Sequence, residues 1–420
     1  MNPATLSMSI QVEHDPAALD CPIAWPRHGE GYGLGRPPFW DEQLGAWVLS
    51  AYADVERVLN DATTFSSQYV LGAEHAAAFD PLRARVDEDP RVAAASIFFR
   101  MAIESGDGDV HRRERSFVAK AFTPRRVRKF EPLITTLCDE LTDAMVGRSG
   151  VPFVQEFAVP LPAKVIAFGL GVPPKDYLDF KRWSDGFQGP IGDPTLEKLE
   201  EFVNVAVEFT TYISPIIERR RREPVDDLIS ALVGENDAGE RLSTEEILGM
   251  CMALMLGGNE TTTMALSGMM LYLVRVPEVQ AELRANPALI SAFIEDALRL
   301  ASPVQLLFRT ATADIEVGGV PIAKGDHVLL RFAAANRDGA RFDEPLIPRL
   351  ERPDKRHLAF GRGAHVCPGA PLARTELRTA LETLLARSSS ITLTDRDDAV
   401  VAAGNPMTAA VGELYLDVNA

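Results

Sequence analysis

A glycine-rich stretch near the C-terminal end carries the residues best suited to chemistry. Residues 360–370 read F-G-R-G-A-H-V-C-P-G-A, with Cys367 as the single cysteine. A lone thiolate is a soft ligand that suits an axial position on iron, whereas a structural zinc site needs clustered ligands. Gly361, Gly363 and Gly369 are expected to take positive φ and to let the backbone approach a flat ligand. The alternative is a buried free cysteine that packs as a small hydrophobe in a turn.

The segment that follows the cysteine should stabilise its thiolate. Residues 371–384 have the apolar spacing of a helix, so the N-terminal N–H groups of this helix would lie near Cys367. Such donors stabilise the anion and tune the reduction potential of a bound iron.

The spacing F-G-x-G-x-H-x-C-x-G resembles the signature of the cytochrome P-450 superfamily, the haem-thiolate monooxygenases, and specifically of their soluble bacterial branch. The resemblance implies a mainly α fold with small β-sheets, in which haem b lies between a long central helix and the cysteine loop. It implies that Cys367 is the iron ligand and that Phe360, Gly361, Gly369 and Gly258 contact the haem.

The longest helical pattern contains a second motif. It begins with a capping-box sequence at Ser243 and ends before Pro277, and residues 257–262 within it read G-G-N-E-T-T. By resemblance, this is the oxygen-activation segment. Two glycines would let the helix open locally, with Glu260 connected to water and Thr261 turned toward dioxygen. The alternative is a glycine packing site in which Thr261 bonds back to the preceding turn.

Four side chains are candidates for binding the two haem propionates. His111 and Arg115 are four residues apart and share one face of a predicted helix. The resemblance adds Arg309 and His365.

The sequence departs from the family's Glu-x-x-Arg motif. Arg299 is preceded by Asp296 at the family's spacing and by Glu295 four residues back, and either can contact it on a helix. We assign the structural ion pair to Asp296 and Arg299, with Glu295 as the alternative partner that is otherwise expected to be solvated. Arg349 or Arg352 is the candidate to complete the network.

The residues that the resemblance places toward a substrate are mostly apolar. They are Phe98, Phe99, Met101, Ala253, Gly257, Val304, Leu306, Leu307, Pro406 and Met407. Such a pocket would bind a small lipophilic molecule by burial of apolar area. Arg100 and Glu104 are charged exceptions that could recognise a charged group, although solvated loop charges are the simpler interpretation.

Electrons are expected from a separate protein, because the chain has no flavin or nicotinamide fingerprint after the haem motifs. Residues 112–129 are densely basic in an otherwise acidic chain. Arg112, Arg113 and Arg362 are expected to form a patch for an acidic iron–sulfur ferredoxin, or a flavodoxin. The alternative is an ordinary solvated helix face.

Composition limits the class of protein. The 420 residues carry a formal charge of −17, which argues against nucleic acid and anionic membranes as partners. Four dispersed cysteines do not indicate a disulfide framework, and no apolar run approaches the ~18 residues of a membrane span. With no signal-peptide pattern, a cytoplasmic enzyme is expected, as one domain over residues 1–420 with an irregular lead-in at residues 1–35.

These patterns predict a monooxygenase that inserts one atom of dioxygen into a lipophilic substrate by hydroxylation or epoxidation. A peroxide-driven peroxygenase on the same fold and a non-catalytic haem-binding sensor or carrier stay open as alternatives. The adjacent acid and alcohol of Glu260 and Thr261 favour the first function, because peroxide use does not require them.

Overall fold

The computed structural model describes residues 35–42, 44–69, 73–99, 102–173, 176–190, 195–346, 349–396, 399–403, 407–408 and 410–420. All but the last residue of the irregular segment expected at 1–35 lies outside these ranges. The helices are α1 Tyr52–Asn60, α2 Ala73–Ala78, α3 Asp80–Arg83, α4 Pro90–Ala95, α5 Ala102–Ser105, α6 Gly108–Ala121, α7 Pro124–Asp143, α8 Pro160–Gly169, α9 Tyr177–Gln188, α10 Leu196–Arg222, α11 Leu228–Val233, α12 Thr244–Arg275, α13 Pro277–Ala285, α14 Ile290–Ala301, α15 Phe332–Ala335 and α16 Ala370–Arg387.

The strands form small sheets at the margins of this helical body, which confirms the expected α-rich fold. They are β1 Phe39–Asp41, β2 Ala46–Leu49, β3 Phe65–Ser66, β4 Arg148–Pro152, β5 Leu306–Ala311, β6 Ile315–Val317, β7 Val320–Ile322, β8 His327–Arg331, β9 Ser390–Leu393, β10 Val400–Ala403 and β11 Ala410–Asn419. One sheet has the order β1-β2-β8-β5-β3, β11 pairs with β10, β4 and β9, and β6 pairs with β7. Gly318 and Gly319, both with positive φ, form the turn that joins β6 to β7.

The long helix α12 runs through the main hydrophobic core. Ser243 caps it: its hydroxyl accepts from the Glu246 N–H at 3.1 Å, and the Glu246 carboxylate accepts from the Ser243 N–H at 2.7 Å. Most of α12 is buried, and it packs against α8, α10 and α14. In the described part of the chain, no helix combines the length and hydropathy that a membrane crossing needs.

Strand β5 sends alternate side chains to opposite faces, as a strand must. Leu306 and Phe308 pack in a small cluster with Ala46 of β2. Leu307 and Arg309 face the other way, into a cavity beside α12. This alternation decides which β5 residues reach the site.

A buried carboxylate joins α14 to the segment that precedes the cysteine loop. Asp296 Oδ1 accepts from Arg299 Nε at 2.7 Å and from Arg352 Nε at 3.0 Å, while its Oδ2 accepts from the Arg349 N–H at 2.7 Å. The structure therefore places Arg299 on Asp296 and adds Arg352 to the same carboxylate. Arg349 binds this carboxylate through its backbone N–H group.

Glu295 has a different role from the solvated one expected. Its carboxylate accepts from Arg374 Nε at 2.7 Å and lies 3.1 Å from His357 Nε2. Burial raises its pKa, but hydrogen bonds from Arg374 and His357 outweigh burial and lower the pKa to about 2. The expectation of a solvated Glu295 was wrong. Adjacent helix positions point toward different neighbours, and Glu295 and Asp296 each lie next to cationic or donor side chains.

We expect Asp296→Asn to destabilise the protein strongly. The neutral amide would remove the carboxylate charge that the buried Arg299 and Arg352 share, at a cost of about 3–5 kcal/mol in the free energy of unfolding. Urea unfolding followed by circular dichroism measures this change. Glu351→Gln, at an exposed position of the same segment, is the control and should change the free energy by less than about 0.5 kcal/mol. Equal midpoints for the two variants would contradict the assigned role.

Candidate functional site

A cavity of about 350 Å³ lies between α12 and the cysteine loop. The loop side is lined by Phe360, Gly361, His365, Cys367 and Gly369, and the α12 side by Ala253, Gly257, Gly258, Glu260, Thr261 and Thr262. Arg115, Arg309 and Glu104 also line it. The structure thus brings both sequence motifs to one space.

The conformation of the cysteine loop is fixed by backbone contacts. The Cys367 N–H donates to the Phe360 carbonyl at 2.8 Å. Gly361 and Gly363 both have φ of +66°, and a Cβ at Gly363 would lie 2.2 Å from the Leu59 carbonyl oxygen of α1. Gly363 is therefore required both for its dihedral angle and for close packing.

The expectation of positive φ was wrong for Gly369. Its φ is −79°, and it is the N-cap residue of α16. A Cβ there would lie 3.8 Å from Cys367 Sγ, an ordinary contact distance, so Gly369 contributes through its N–H group near the sulfur.

The thiol of Cys367 opens on the cavity, where burial and nearby donors act on it in opposite directions. Burial raises its pKa, while the N–H groups of Gly369 and Ala370 and the charge of Arg115 act in the opposite direction. A bound metal ion displaces the proton, and the same donors then stabilise the thiolate.

Two histidines meet beside this loop. The rings of His111 and His365 stack at a centroid distance of 3.9 Å and an angle of 28°. His365 Nε2 lies 3.1 Å from Ser67 Oγ, whereas His111 Nε2 is buried without a hydrogen-bond partner among the described residues. Burial lowers the pKa of both rings, that of His365 to about 3.

Two guanidinium groups complete the cationic side of the cavity: Arg309 is buried and Arg115 is half-buried. Arg115 donates to the Val366 carbonyl and Arg309 to the Phe308 carbonyl. Burial lowers the pKa of both, that of Arg309 to about 10, and the described residues give neither a salt bridge with a carboxylate. Two such cations and an unpaired imidazole suit a ligand with two carboxylates, so these residues fit the propionates of haem.

Helix α12 is continuous across its glycines, so the expected local opening was wrong. Thr261 Oγ1 donates to the Gly257 carbonyl at 2.6 Å, which is the back-bonding alternative. Gly257 opens onto the cavity, and a Cβ at Gly258 would lie 3.2 Å from the Ile166 side chain. Because its proton is engaged, the Thr261 oxygen presents its acceptor lone pairs to the cavity.

Glu260 lies beside Thr261 on the cavity wall. Burial raises the pKa of its carboxyl group, with Lys181 of α9 acting against this rise and Asp185 adding to it. A carboxyl group whose pKa lies above its ordinary value takes up a proton more readily, which suits a group that passes protons on.

The substrate-facing expectations divide into three groups. Ala253, Gly257, Val304, Leu307 and Met407 line the cavity. Phe98, Phe99 and Leu306 do not: the two phenylalanines pack on other aromatic rings, with Phe98 5.1 Å from Phe187 and Phe99 5.7 Å from Phe79 between ring centroids, and Leu306 faces away on β5. Met101 and Pro406 lie outside the described residues.

Sequence reasoning missed one acidic residue of the site, Glu376, and favoured a solvated position for a second, Glu104. Glu376 on α16 lines the cavity, and its Oε2 is buried without a hydrogen-bond partner among the described residues. Its place among apolar residues at helical spacing, four after Leu372, was the signal that it points inward. Glu104 was noted but was expected to be solvated, whereas it lies on the cavity wall.

Each of the three arginines predicted to form the basic patch pairs with an acidic residue of the chain. Arg113 donates to Glu246 at 2.6 Å, and Arg362 lies 3.0 Å from Glu56. Arg112 pairs with Asp109 but keeps 71% of its side chain exposed. The side chain of Arg112 is thus the most exposed of these three.

Comparisons with known proteins agree with this geometry. The family model described as Cytochrome P450 matches residues 174–400. The YjiB cytochrome P450 of Bacillus subtilis (strain 168) is 38% identical over 353 residues, covering 83% of each chain. The mycinamicin IV hydroxylase/epoxidase of Micromonospora griseorubida is 37% identical over 362 residues, covering 85% of each.

A solved structure shows the same fold. The cytochrome P450 CYP109E1 of Bacillus megaterium, in complex with corticosterone, has a TM-score of 0.78 and 31% sequence identity, covering 91% of this chain and 94% of that one. With a cysteine that opens on the cavity and cationic groups that fit two propionates, the chain belongs to the cytochrome P450 family of haem-thiolate monooxygenases.

Proposed function

We propose that this protein is a monooxygenase of lipophilic small molecules in which Cys367 holds the haem iron and a separate iron–sulfur protein supplies electrons. The observation that carries the proposal is one cavity lined by Cys367, by the cations Arg115 and Arg309, and by the Glu260–Thr261 pair. When bound, haem with a thiolate ligand supplies the activation of dioxygen and the transfer of one oxygen atom.

The chain's own residues would hold and orient this group. Cys367 binds the iron, while Gly369 and Ala370 direct N–H groups at the sulfur. Arg115 and Arg309, with His111 and His365, bind the propionates, which removes the cost of burying these groups without partners. Phe360, Gly361 and Gly258 form the walls that approach the flat ring.

Proton delivery is assigned to neighbouring side chains of α12. Glu260 takes protons from the side of α9, where Lys181 and Asp185 lie. The Thr261 oxygen would accept a hydrogen bond from a cavity water and hold that water in the cavity, while its hydroxyl donates to the Gly257 carbonyl. Neither residue is needed for peroxide-driven chemistry or for a sensor.

The substrate is held mainly by apolar contacts. Ala253, Val304, Leu307 and Met407 form that part of the wall, and burial of apolar area contributes roughly 25 cal/mol per Å² before ordering costs. The similar proteins described above include one bound to corticosterone and one named for a mycinamicin, which supports bulky lipophilic substrates.

The thiolate assignment is tested by Cys367→Ser. We expect the reduced, carbon-monoxide-bound protein to lose its red-shifted thiolate band, because serine stays protonated and is a poorer donor. Cys138→Ser and Cys251→Ser are the controls, since burial holds the pKa of both thiols far above its usual range. A thiolate band that survives in Cys367→Ser would place the ligand elsewhere.

The proton-delivery role is tested by Thr261→Ala. We expect product per reductant consumed to fall several-fold and hydrogen peroxide to rise, because the held water is lost while reduction continues. Thr261→Ser should restore coupling. Thr263→Ala is the matched control, because its hydroxyl bonds the Ala158 and Asn259 carbonyls and does not line the cavity. Wild-type coupling in Thr261→Ala would remove this hydroxyl from proton delivery.

The electron-supply surface is tested at Arg112. This residue lies on α6 three positions before Arg115, which contacts the cysteine loop at Val366. Arg112→Glu should raise the KM for an acidic ferredoxin by roughly threefold at low ionic strength, and the effect should vanish at high salt. Arg113→Glu is a poor test, because it would also break the contact with Glu246 at the start of α12.

Arg83→Glu is the control for Arg112→Glu. Arg83 is also exposed and also pairs with an aspartate three residues earlier, Asp80. Equal kinetics for the two charge reversals would mean that Arg112 belongs to an ordinary solvated face.

A further inference from the structure

Glu104 places a carboxylate on the wall of an otherwise largely apolar cavity. It lies on the short helix α5, which packs against α6 and α12. The same cavity is lined by Ile103, Leu254, Leu256 and Leu307. A carboxylate in such surroundings needs a counter-charge or hydrogen-bond donors to offset its burial.

No described residue supplies that compensation. Burial raises the pKa of Glu104 to about 7, and no hydrogen bond or cation among the described residues opposes it. The two arginines of the cavity face other groups: the charge of Cys367 acts on Arg115, and that of Asp107 acts on Arg309. In the proposed function, both arginines also bind the haem propionates.

The other acids of the cavity have different surroundings. Glu260 has Lys181 nearby, and Glu376 is fully buried on α16. Glu104 instead is partly exposed on α5, next to the apolar Ile103 that shares the cavity wall. A ligand that enters the cavity can therefore reach Glu104. Among the described residues, no cationic partner would have to be displaced from it.

We propose that Glu104 is a specificity-determining residue and that the substrates are lipophilic molecules carrying a basic, cationic nitrogen. The inference rests on the proposed function and deepens it. The cation of the substrate pairs with the Glu104 carboxylate, and the apolar remainder packs on Leu254 and Leu307. The pair orients the substrate in the cavity, because it fixes one end while the apolar walls accept many shapes.

The test compares two probes of one shape on the haem-loaded protein. The cation is 4-phenylbutyltrimethylammonium, which has no lone pair to bind iron, and the neutral probe is its carbon isostere, 5,5-dimethyl-1-phenylhexane. Dissociation constants are measured by calorimetry in the same cosolvent. We expect Glu104→Gln to weaken binding of the cation about tenfold, equivalent to about 1.4 kcal/mol, and to leave the neutral probe within about twofold.

The control is Glu88→Gln, which removes an exposed carboxylate outside the cavity and should change neither constant. Equal effects of Glu104→Gln on both probes, or no effect on the cation, would overturn the proposal. If Glu104→Gln does not fold, the affinities of two probes for the wild-type protein are compared instead. The anion 6-phenylhexanoate should bind at least tenfold more weakly than the cation, and equal binding would overturn the proposal.

The result of the Glu104 test can be distinguished from the result of the tests of the proposed function. The carbon monoxide band and oxygenation of a neutral substrate test the monooxygenase assignment without involving Glu104. A protein that shows both, yet binds the two probes without dependence on Glu104, would lose this inference alone.

Discussion

The carboxylate of Asp296 holds together the parts of the chain that carry the site. It accepts from Arg299 on its own helix and from Arg352 in the segment before the cysteine loop. Arg299 also donates to the Asn336 carbonyl at 2.9 Å, and the Asn336 side chain accepts from the Leu358 N–H at 2.6 Å. Two residues later, the Phe360 carbonyl accepts from Cys367. Hydrogen bonds, joined through the covalent chain at Asn336 and at residues 358–360, thus connect one buried acid to the backbone of Cys367.

The loop at the end of this network has little freedom left. Gly363 lies against the Leu59 carbonyl of α1 with no room for a Cβ, and Glu295 binds Arg374 of α16 on the other side. These contacts fix the position of the loop that carries Cys367. Such preorganisation matters because a site that must hold a ring and a substrate together cannot tolerate a mobile ligand.

Charges near the cavity fall into two classes. Arg113 and Arg362 have acidic partners within the protein, so they contribute to local structure. Arg115, Arg309 and Glu104 lie on the cavity wall, and the described residues give none of them an ion-pair partner. Burial of such groups is costly, and a ligand with complementary charges offsets the cost. The second class therefore contains the residues to which we assign ligand recognition.

Local patterns in the sequence were enough to predict the candidate site residues and the longest helix. A lone cysteine among glycines, an acid beside an alcohol on a capped helix, and His111 four residues from Arg115 are local patterns, and local patterns survive without knowledge of the fold. The bounds of α12 followed from Ser243 and Pro277, because capping and proline act within one turn.

The tertiary structure decided which groups meet. Whether Asp296 or Glu295 binds Arg299 depended on where Arg352, Arg374 and His357 arrive from distant positions in the chain. The choice between Leu306 and Leu307 as a cavity residue depended on which face of the sheet packs outward. Glu104 looked like a solvated loop charge in the sequence, because the burial of a short loop helix is set by its neighbours and not by its own residues. Residue spacing determines which side chains share one face of a helix or strand. The partners of those side chains and their burial depend on how several elements pack together.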